Sequence, residues 1–122
     1  MEKIIGIETE YGIIKYRDGI FLDSISYPNE TEVIFKGEFS TDLGDKKYEI
    51  KFSGIRYLRS IELDFDDRNA LESFAIIENS KILERFKNID HSKKVNSSHQ
   101  HFYFSTYDTV FEIIADNYDL KI

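Results

Sequence analysis

The sequence predicts a mainly β fold of the α+β class: an antiparallel β sandwich or barrel-like sheet with one helix near residues 80–88. Segments in which apolar and polar residues alternate recur along the chain, as pleated strands require. Turn-forming residues separate these segments at intervals of roughly eight to twelve residues, which is typical of sandwiches and barrels. Only one segment, which begins at Ser80, has its apolar residues at a clear helical spacing.

Two segments near the C-terminus carry the strongest pattern, and they predict a β-hairpin. His101–Tyr107 and Thr109–Tyr118 are rich in aromatic and β-branched residues, and the turn-type residue Asp108 lies between them. A helix over Asp108–Asp116, capped from Ser105 or Thr106, is the alternative, because the same apolar residues also fit a helical period. Phe102 and Phe104 are expected to share one face of the first strand, and Phe111, Ile113 and Ala115 one face of the second.

Earlier segments predict the rest of the sheet. Tyr11–Tyr16 and Ile20–Tyr27 flank the turn dipeptide Asp18-Gly19, so we expect them to pair as a hairpin. Three further strands are expected on the same alternation, and they are Glu32–Phe39, Lys47–Ser53 and Ile55–Phe65.

One segment predicts a helix. Asn79 and Ser80 are suitable N-cap residues, and apolar residues then recur at helical spacing over Ser80–Asn88. The preceding Leu71–Ile77 fits either a strand or an earlier helical turn, and the polar His91–Gln100 predicts a loop.

Length and composition limit the class of protein. A chain of 122 residues forms one domain, residues 1–122, with enough buried surface for a single core. The absence of cysteine excludes disulfides and cysteine-ligated zinc, and it suits a cytoplasmic location. No apolar stretch approaches the roughly 18 residues of a membrane span. The net charge of −7 argues against nucleic acid and anionic membranes as partners, and favours solubility or a basic protein partner.

The acidic residues Asp64, Asp66 and Asp67 are the first candidate site, at the end of the expected strand Ile55–Phe65. Alternate carboxylates on a strand can bind a divalent cation, but the spacing lacks the glycine and ligand pattern of a calcium loop. A solvated strand end explains the same residues. We therefore predict no metal here and treat the three carboxylates as a docking face for a basic partner.

The histidines are the second candidate. His99 and His101 are two residues apart and would share one face of a strand, with His91 nearby, so the three could hold zinc. The polar outer face of a strand also explains them. No nucleophile elbow and no phosphate-binding glycine loop is present, so the sequence predicts neither an enzyme nor a cofactor.

The C-terminal half resembles a set of small acidic bacterial proteins that are regarded as immunity proteins of polymorphic toxin systems. The residues that carry the resemblance are Glu78-Asn79-Ser80 opening a helix, His99-Gln100-His101-Phe102 entering a strand, and Phe111-Glu112-Ile113-Ile114-Ala115. The resemblance implies a cytoplasmic protein that neutralises a toxin, and it specifies no contact residues.

Together these observations predict a non-enzymatic protein-binding domain of the immunity type, acting on a basic toxin domain. Two alternatives remain open at the level of sequence. One is a small-ligand or metal-binding β sandwich that uses the histidines, and the other is a structural module that associates with its own copy to form a homo-oligomer.

Overall fold

A computed structural model describes all residues from 1 to 122. It contains one nine-residue helix, α1 (Lys81–Ile89), and eleven strands. The strands are β1 (Lys3–Gly6), β2 (Glu8–Thr9), β3 (Gly12–Ile13), β4 (Ile20–Asn29), β5 (Glu32–Thr41), β6 (Gly44–Ser53), β7 (Tyr57–Glu62), β8 (Phe74–Glu78), β9 (Gln100–Ser105), β10 (Thr109–Ala115) and β11 (Asn117–Lys121).

Two antiparallel sheets form a sandwich, which confirms the predicted fold class. The first sheet has five strands in the order β1-β8-β9-β10-β7, and the second has four in the order β11-β6-β5-β4. The short strands β2 and β3 make a separate two-stranded hairpin. The helix is too short to change this architecture, and no helix of the structure has the length and apolar character needed to cross a membrane.

The main core lies between the two sheets and is built largely from aromatic rings. Phe35 of β5 lies with its ring centroid 5.2 Å from that of Phe104 and 4.9 Å from that of Phe111, both on the opposite sheet. On β6, alternate residues point inward because successive side chains of a strand lie on opposite faces. Tyr48, Ile50 and Phe52 are therefore buried, as the alternation in the sequence predicts.

The predicted C-terminal hairpin is confirmed. β9 and β10 pair in register from Val110 opposite Ser105 to Ala115 opposite Gln100, so the helical alternative over Asp108–Asp116 is wrong. The second strand is shorter than expected because the chain leaves the first sheet at Asp116. The following residues form β11, which pairs with β6 in the other sheet.

The hairpin predicted around Asp18-Gly19 is wrong. β4 pairs with β5 across the turn at Glu30 and Thr31, and not with the segment that precedes the glycine. Gly19 is nevertheless required, because an added Cβ would lie 2.4 Å from the carbonyl oxygen of Lys15. The dipeptide therefore marks a tight change of direction between elements that do not pair.

The strand expected over Ile55–Phe65 covers only the six residues of β7. The chain then turns through a 3-10 turn at Leu63–Phe65 and continues as a loop to β8. Leu71–Ile77 was compatible with either a strand or a helix, and the structure shows a strand beginning at Phe74.

The predicted helix is confirmed, with both boundaries shifted by one residue. Ser80 is its N-cap, and the Ser80 hydroxyl accepts a hydrogen bond from the Leu83 amide at 3.1 Å. No residue of α1 is buried. The helix lies against the first sheet through Phe86, whose ring packs edge-on against Tyr57 at 5.6 Å.

The outer face of the first sheet is also largely buried, although it faces away from the main core. A small cluster of Ala75, Ile77, Tyr103 and Val110 lies there, and Leu63 and Ala70 of the loop after β7 pack over it. The segment after β7 therefore covers part of this face, and it also carries the acidic residues Asp64, Asp66 and Asp67.

Candidate functional site

The three predicted acidic residues do not share a strand face. Asp64 lies in the 3-10 turn, and Asp66 and Asp67 follow it in the loop. This corrects the expectation of alternate carboxylates at the end of a strand, because β7 ends at Glu62. Asp64 and Asp67 are exposed, whereas Asp66 is half-buried.

The turn carrying Asp64 meets two other turns at one end of the sandwich. The guanidinium of Arg17 lies 3.5 Å from the Asp64 carboxylate and 3.7 Å from that of Asp108, and its Nε donates to the Tyr107 carbonyl at 3.0 Å. The Leu63 amide donates to the Asp108 carbonyl at 2.9 Å. One arginine thus joins turns that are far apart in sequence.

Five carboxylates lie on this end, which we call the acidic end: Glu62, Asp64, Asp66, Asp67 and Asp108. Arg17 is the cation that pairs with two of them. Because exposed ion pairs contribute little stability, typically about 0.2–1 kcal/mol, the pairing orders the turns more than it strengthens the fold.

An aromatic pair is exposed beside these carboxylates. The rings of Phe21 and Tyr107 stack with centroids 5.7 Å apart, and the Arg17 guanidinium lies 4.9 Å from the Tyr107 ring centroid. Phe21 is 39% exposed and Tyr107 is 45% exposed. Aromatic side chains held rigid at a surface supply much of the binding energy in protein interfaces.

Asp66 differs from its neighbours because a buried tyrosine holds it. The Tyr103 hydroxyl donates to Asp66 Oδ2 at 2.7 Å, and Tyr103 is only 1% exposed. Burial first, and then the hydrogen bond to Asp66 and its negative charge, raise the pKa of Tyr103 well above its ordinary value. The phenol therefore stays protonated and donates to the carboxylate at all physiological pH values.

A second polar group is buried on the outer face of the first sheet, beneath the N-terminus of α1. The Ser80 hydroxyl lies 2.6 Å from His101 Nδ1, and His101 Nε2 lies 2.9 Å from Glu112 Oε1. His101 is fully buried and Glu112 is 2% exposed. We call these three residues the buried relay.

The carboxylate of Glu112 assigns one proton in the buried relay. The Glu112 carboxylate is flanked by two arginines and can only accept hydrogen bonds. His101 Nε2 therefore carries a proton and donates it to Glu112. The other ring nitrogen, Nδ1, shares a hydrogen bond with the Ser80 hydroxyl. The Ser80 oxygen in turn accepts from the Leu83 amide, so every group in the relay has a partner.

Two arginines compensate the charge of Glu112. Its Oε2 accepts from Arg59 at 3.1 Å and from Arg68 at 3.2 Å. Burial alone would raise the pKa of Glu112, but the hydrogen bond from His101 and the charges of Arg68 and Arg59 outweigh it and hold that pKa below the ordinary value. Glu112 is therefore a buried carboxylate that remains ionised.

The relay continues to the N-terminal segment. Arg68 also lies 3.3 Å from Glu2 Oε1, and Glu2 Oε2 accepts from the Lys81 amide in the first turn of α1 at 2.9 Å. An acidic side chain at a helix N-terminus is favourable because it accepts a hydrogen bond from a free amide and interacts with the positive end of the helix dipole. The network thus attaches the chain start, the loop after β7 and α1 to one sheet.

A serine, a histidine and a carboxylate joined by hydrogen bonds also occur in nucleophilic active sites. Such a site needs a serine oxygen that substrate can reach. Ser80 is 5% exposed, and its oxygen already caps α1. Ser80 also lines a cavity of about 680 Å³ along α1, but its oxygen is bonded to His101 and to the Leu83 amide, so in this structure the relay orients α1 on the sheet.

The histidines do not form the cluster that a zinc site requires. His101 belongs to the buried relay. His99 is 4% exposed, and its ring nitrogens pair with the Asn96 amide and the Gly54 carbonyl at 3.1 Å each. The expectation of a polar outer strand face is therefore wrong for both residues, whereas His91 is exposed. The structure contains no group of three or more histidine, aspartate or glutamate residues placed to hold a metal.

Several site residues were not found by sequence reasoning. Arg17, Phe21 and Tyr107 carry no local motif, and they meet only because three turns converge. Glu112 follows the alternation of a strand and gives a weak signal, since a glutamate inside the apolar run 110–115 must find a charged partner if that strand is buried.

Comparison of the chain with protein-family models, with curated proteins and with solved structures gives no match.

Proposed function

We propose that this protein is a non-enzymatic protein-binding domain that docks through its acidic end onto a basic surface of another protein. The observation that carries the proposal is the exposed Phe21–Tyr107 pair lying among the carboxylates Asp64 and Asp108. Aromatic rings supply apolar contact area, and the carboxylates around them select a partner of opposite charge.

The charge of the whole chain acts in the same direction. At a net charge of −7, the molecule attracts basic surfaces over distances of about a Debye length, which increases the rate of encounter. Arg17 pairs with Asp64 and Asp108, so its charge does not oppose a cationic partner.

The resemblance of the C-terminal half supports a more specific form of the proposal. The protein would be a cytoplasmic immunity protein of a bacterial polymorphic toxin system, and its partner would be a basic toxin domain. Neutralisation would be steric and electrostatic, with the acidic end covering the surface by which the toxin binds its own substrate.

Two triple variants of equal charge test the docking surface. Asp64→Lys with Asp67→Lys and Asp108→Lys reverses the acidic end. Asp42→Lys with Asp45→Lys and Asp119→Lys makes the same change at exposed residues that form no ion pair. Each protein is immobilised and used to capture partners from the source cells, and association with the captured partner is then measured at low and moderate salt.

We expect the wild type and the second variant to capture the same basic partner. The first variant should associate at least about tenfold more slowly at low salt, with a weaker dependence on salt. Equal association rates for the two triple variants would refute the acidic end as the docking surface, because both carry the same change of charge and only the first alters that end.

A further inference from the structure

A cavity of about 290 Å³ lies between the acidic end and the outer face of the first sheet. It is bounded by the loop after β7, by the turn before β4 and by β9. The residues that matter for its chemistry are Tyr16, Arg17, Asp66, Asn69, Tyr103 and Ser105. Asp66 of the acidic end is among the lining residues, so the cavity adjoins that end.

The floor of the cavity holds one fixed carboxylate. The Tyr103 hydroxyl donates to Asp66 Oδ2, and this is the one hydrogen bond that the Asp66 side chain makes. Oδ1 of Asp66 therefore keeps its full capacity to accept. No cation of the chain lies within ion-pair distance of this carboxylate, in contrast to Asp64 and Asp108.

The wall of the cavity is held in an unfavourable backbone conformation. Tyr16 has a φ of +72° and Asn69 a φ of +52°. Asparagine tolerates this region, but for tyrosine it costs about 1–3 kcal/mol. Three hydrogen bonds hold Tyr16 there: its amide donates to the Leu71 carbonyl at 2.7 Å, and its carbonyl accepts from Gly19 at 3.1 Å and from the Ser73 hydroxyl at 2.6 Å.

Arg17 also lines the cavity, and its charge must be considered. Its guanidinium bonds to the Tyr107 carbonyl and faces Asp64 and Asp108, so two carboxylates compensate it. The carboxylate of Asp66 is left without a compensating cation. The negative charge of Asp66 therefore makes the cavity attractive to a positive group.

We propose that this cavity receives a cationic side chain, of the arginine type, from the partner protein. The guanidinium would donate to Asp66 Oδ1, and the Tyr16 ring at the wall would lie alongside its plane. Such an anchor fits the acidic end. The cavity is preformed and Tyr103 already holds the Asp66 carboxylate in place, so the entering cation pairs with it at a small cost in conformational entropy. The inference rests on the proposed docking function and adds the chemistry of the anchoring contact.

The test uses a small probe and does not require the partner. The full ¹⁵N-labelled protein is titrated with Nα-acetyl-argininamide, and separately with Nα-acetyl-citrullinamide, which has nearly the same shape and no charge. We expect saturable shifts at the amides of Asp66, Asn69 and Ser105 with the arginine probe, at a dissociation constant of the order of 1 mM. The citrulline probe should give shifts that do not saturate.

Two variants give the matched control. Asp66→Asn removes the charge at the floor of the cavity, and we expect it to weaken binding of the arginine probe about tenfold or more. Asp42→Asn makes the same change at an exposed residue away from the acidic end and should leave binding within a factor of about two. Equal binding of the two probes, or equal losses in the two variants, would overturn the proposal.

The outcomes also separate this inference from the proposed function. If the acidic-end triple variant loses its partner while the wild type does not bind the arginine probe, the docking surface stands and the cavity is not the anchor. If the probe binds through Asp66 and both triple variants retain the partner, the cation site stands and the acidic end is not the docking surface.

Discussion

Glu112 is the charged residue whose replacement we expect to destabilise the fold most. It is 2% exposed and pairs with His101, Arg59 and Arg68. Glu112→Gln removes the negative charge and leaves two arginines facing a neutral group, which costs about 3 kcal/mol of unfolding free energy. Urea denaturation measures this loss. Asp119→Asn, at an exposed residue, should change stability by less than about 0.5 kcal/mol.

The lowered pKa of Glu112 predicts how stability depends on pH. A carboxyl whose pKa is lower in the folded state than in the unfolded state stabilises the fold above its unfolded value, about 4.3. This stabilisation is lost as the pH falls through the folded pKa. We therefore expect the stability difference between wild type and Glu112→Gln to be constant from about pH 7 to 5 and to shrink below about pH 4. A difference that grows on acidification would contradict the assignment of an ionised Glu112.

Ser80 links the helix cap to the buried relay, so one substitution affects both. Ser80→Ala removes the acceptor for the Leu83 amide and leaves His101 Nδ1 buried without a partner. The expected loss is about 2 kcal/mol, since a cap contributes about 1 kcal/mol and an unpaired buried group costs at least as much again. Ser92→Ala, at an exposed residue just after α1, is the control and should be close to neutral.

At the scale of elements, we expect α1 to open more readily than the core strands. It has nine residues, none of them buried, and isolated helices of that length are marginal in water. We expect the amides of α1 to exchange with solvent through local opening, at a free energy several kcal/mol below that of the β9–β10 hairpin. Hydrogen exchange of the intact protein measures both. Equal protection of α1 and β10 would show that the helix opens only with the whole fold.

The pairing of elements was only partly predictable. The β9–β10 hairpin followed from two strong alternations and a short turn, all of which are local in sequence. The sequence predicts the wrong partner for β4 because Asp18-Gly19 has the composition of a hairpin turn. The true partner, β5, is the strand beside which Ile20, Leu22 and Ile25 can pack against the core.

At the scale of the whole molecule, both sheets depend on one set of aromatic contacts. Phe35 touches Phe104 and Phe111 across the core, so Phe35→Ala opens a cavity between the sheets and should cost about 3–5 kcal/mol. Tyrosine near-UV and backbone far-UV circular dichroism should report coincident urea transitions for the wild type and the variant. Two separated transitions would contradict the prediction of one domain over residues 1–122.

The candidate site was predictable in its charge and not in its geometry. Three aspartates within four residues indicated an acidic surface directly. The sequence did not show that Tyr103 holds Asp66 while Arg17 pairs with Asp64, because both contacts join segments more than 35 residues apart. Long-range contacts of this kind depend on how the sheets pack, which a local pattern does not encode.

Tyr16 bears on the balance between stability and function. Its backbone adopts a conformation that glycine accepts more readily, so Tyr16→Gly should relieve strain and leave the protein no less stable than the wild type. The same change removes the aromatic wall of the cavity. We therefore expect Tyr16→Gly to keep the melting temperature of the wild type and to lose affinity for the cationic group. Selection for thermal stability alone would favour this substitution and would remove the binding site.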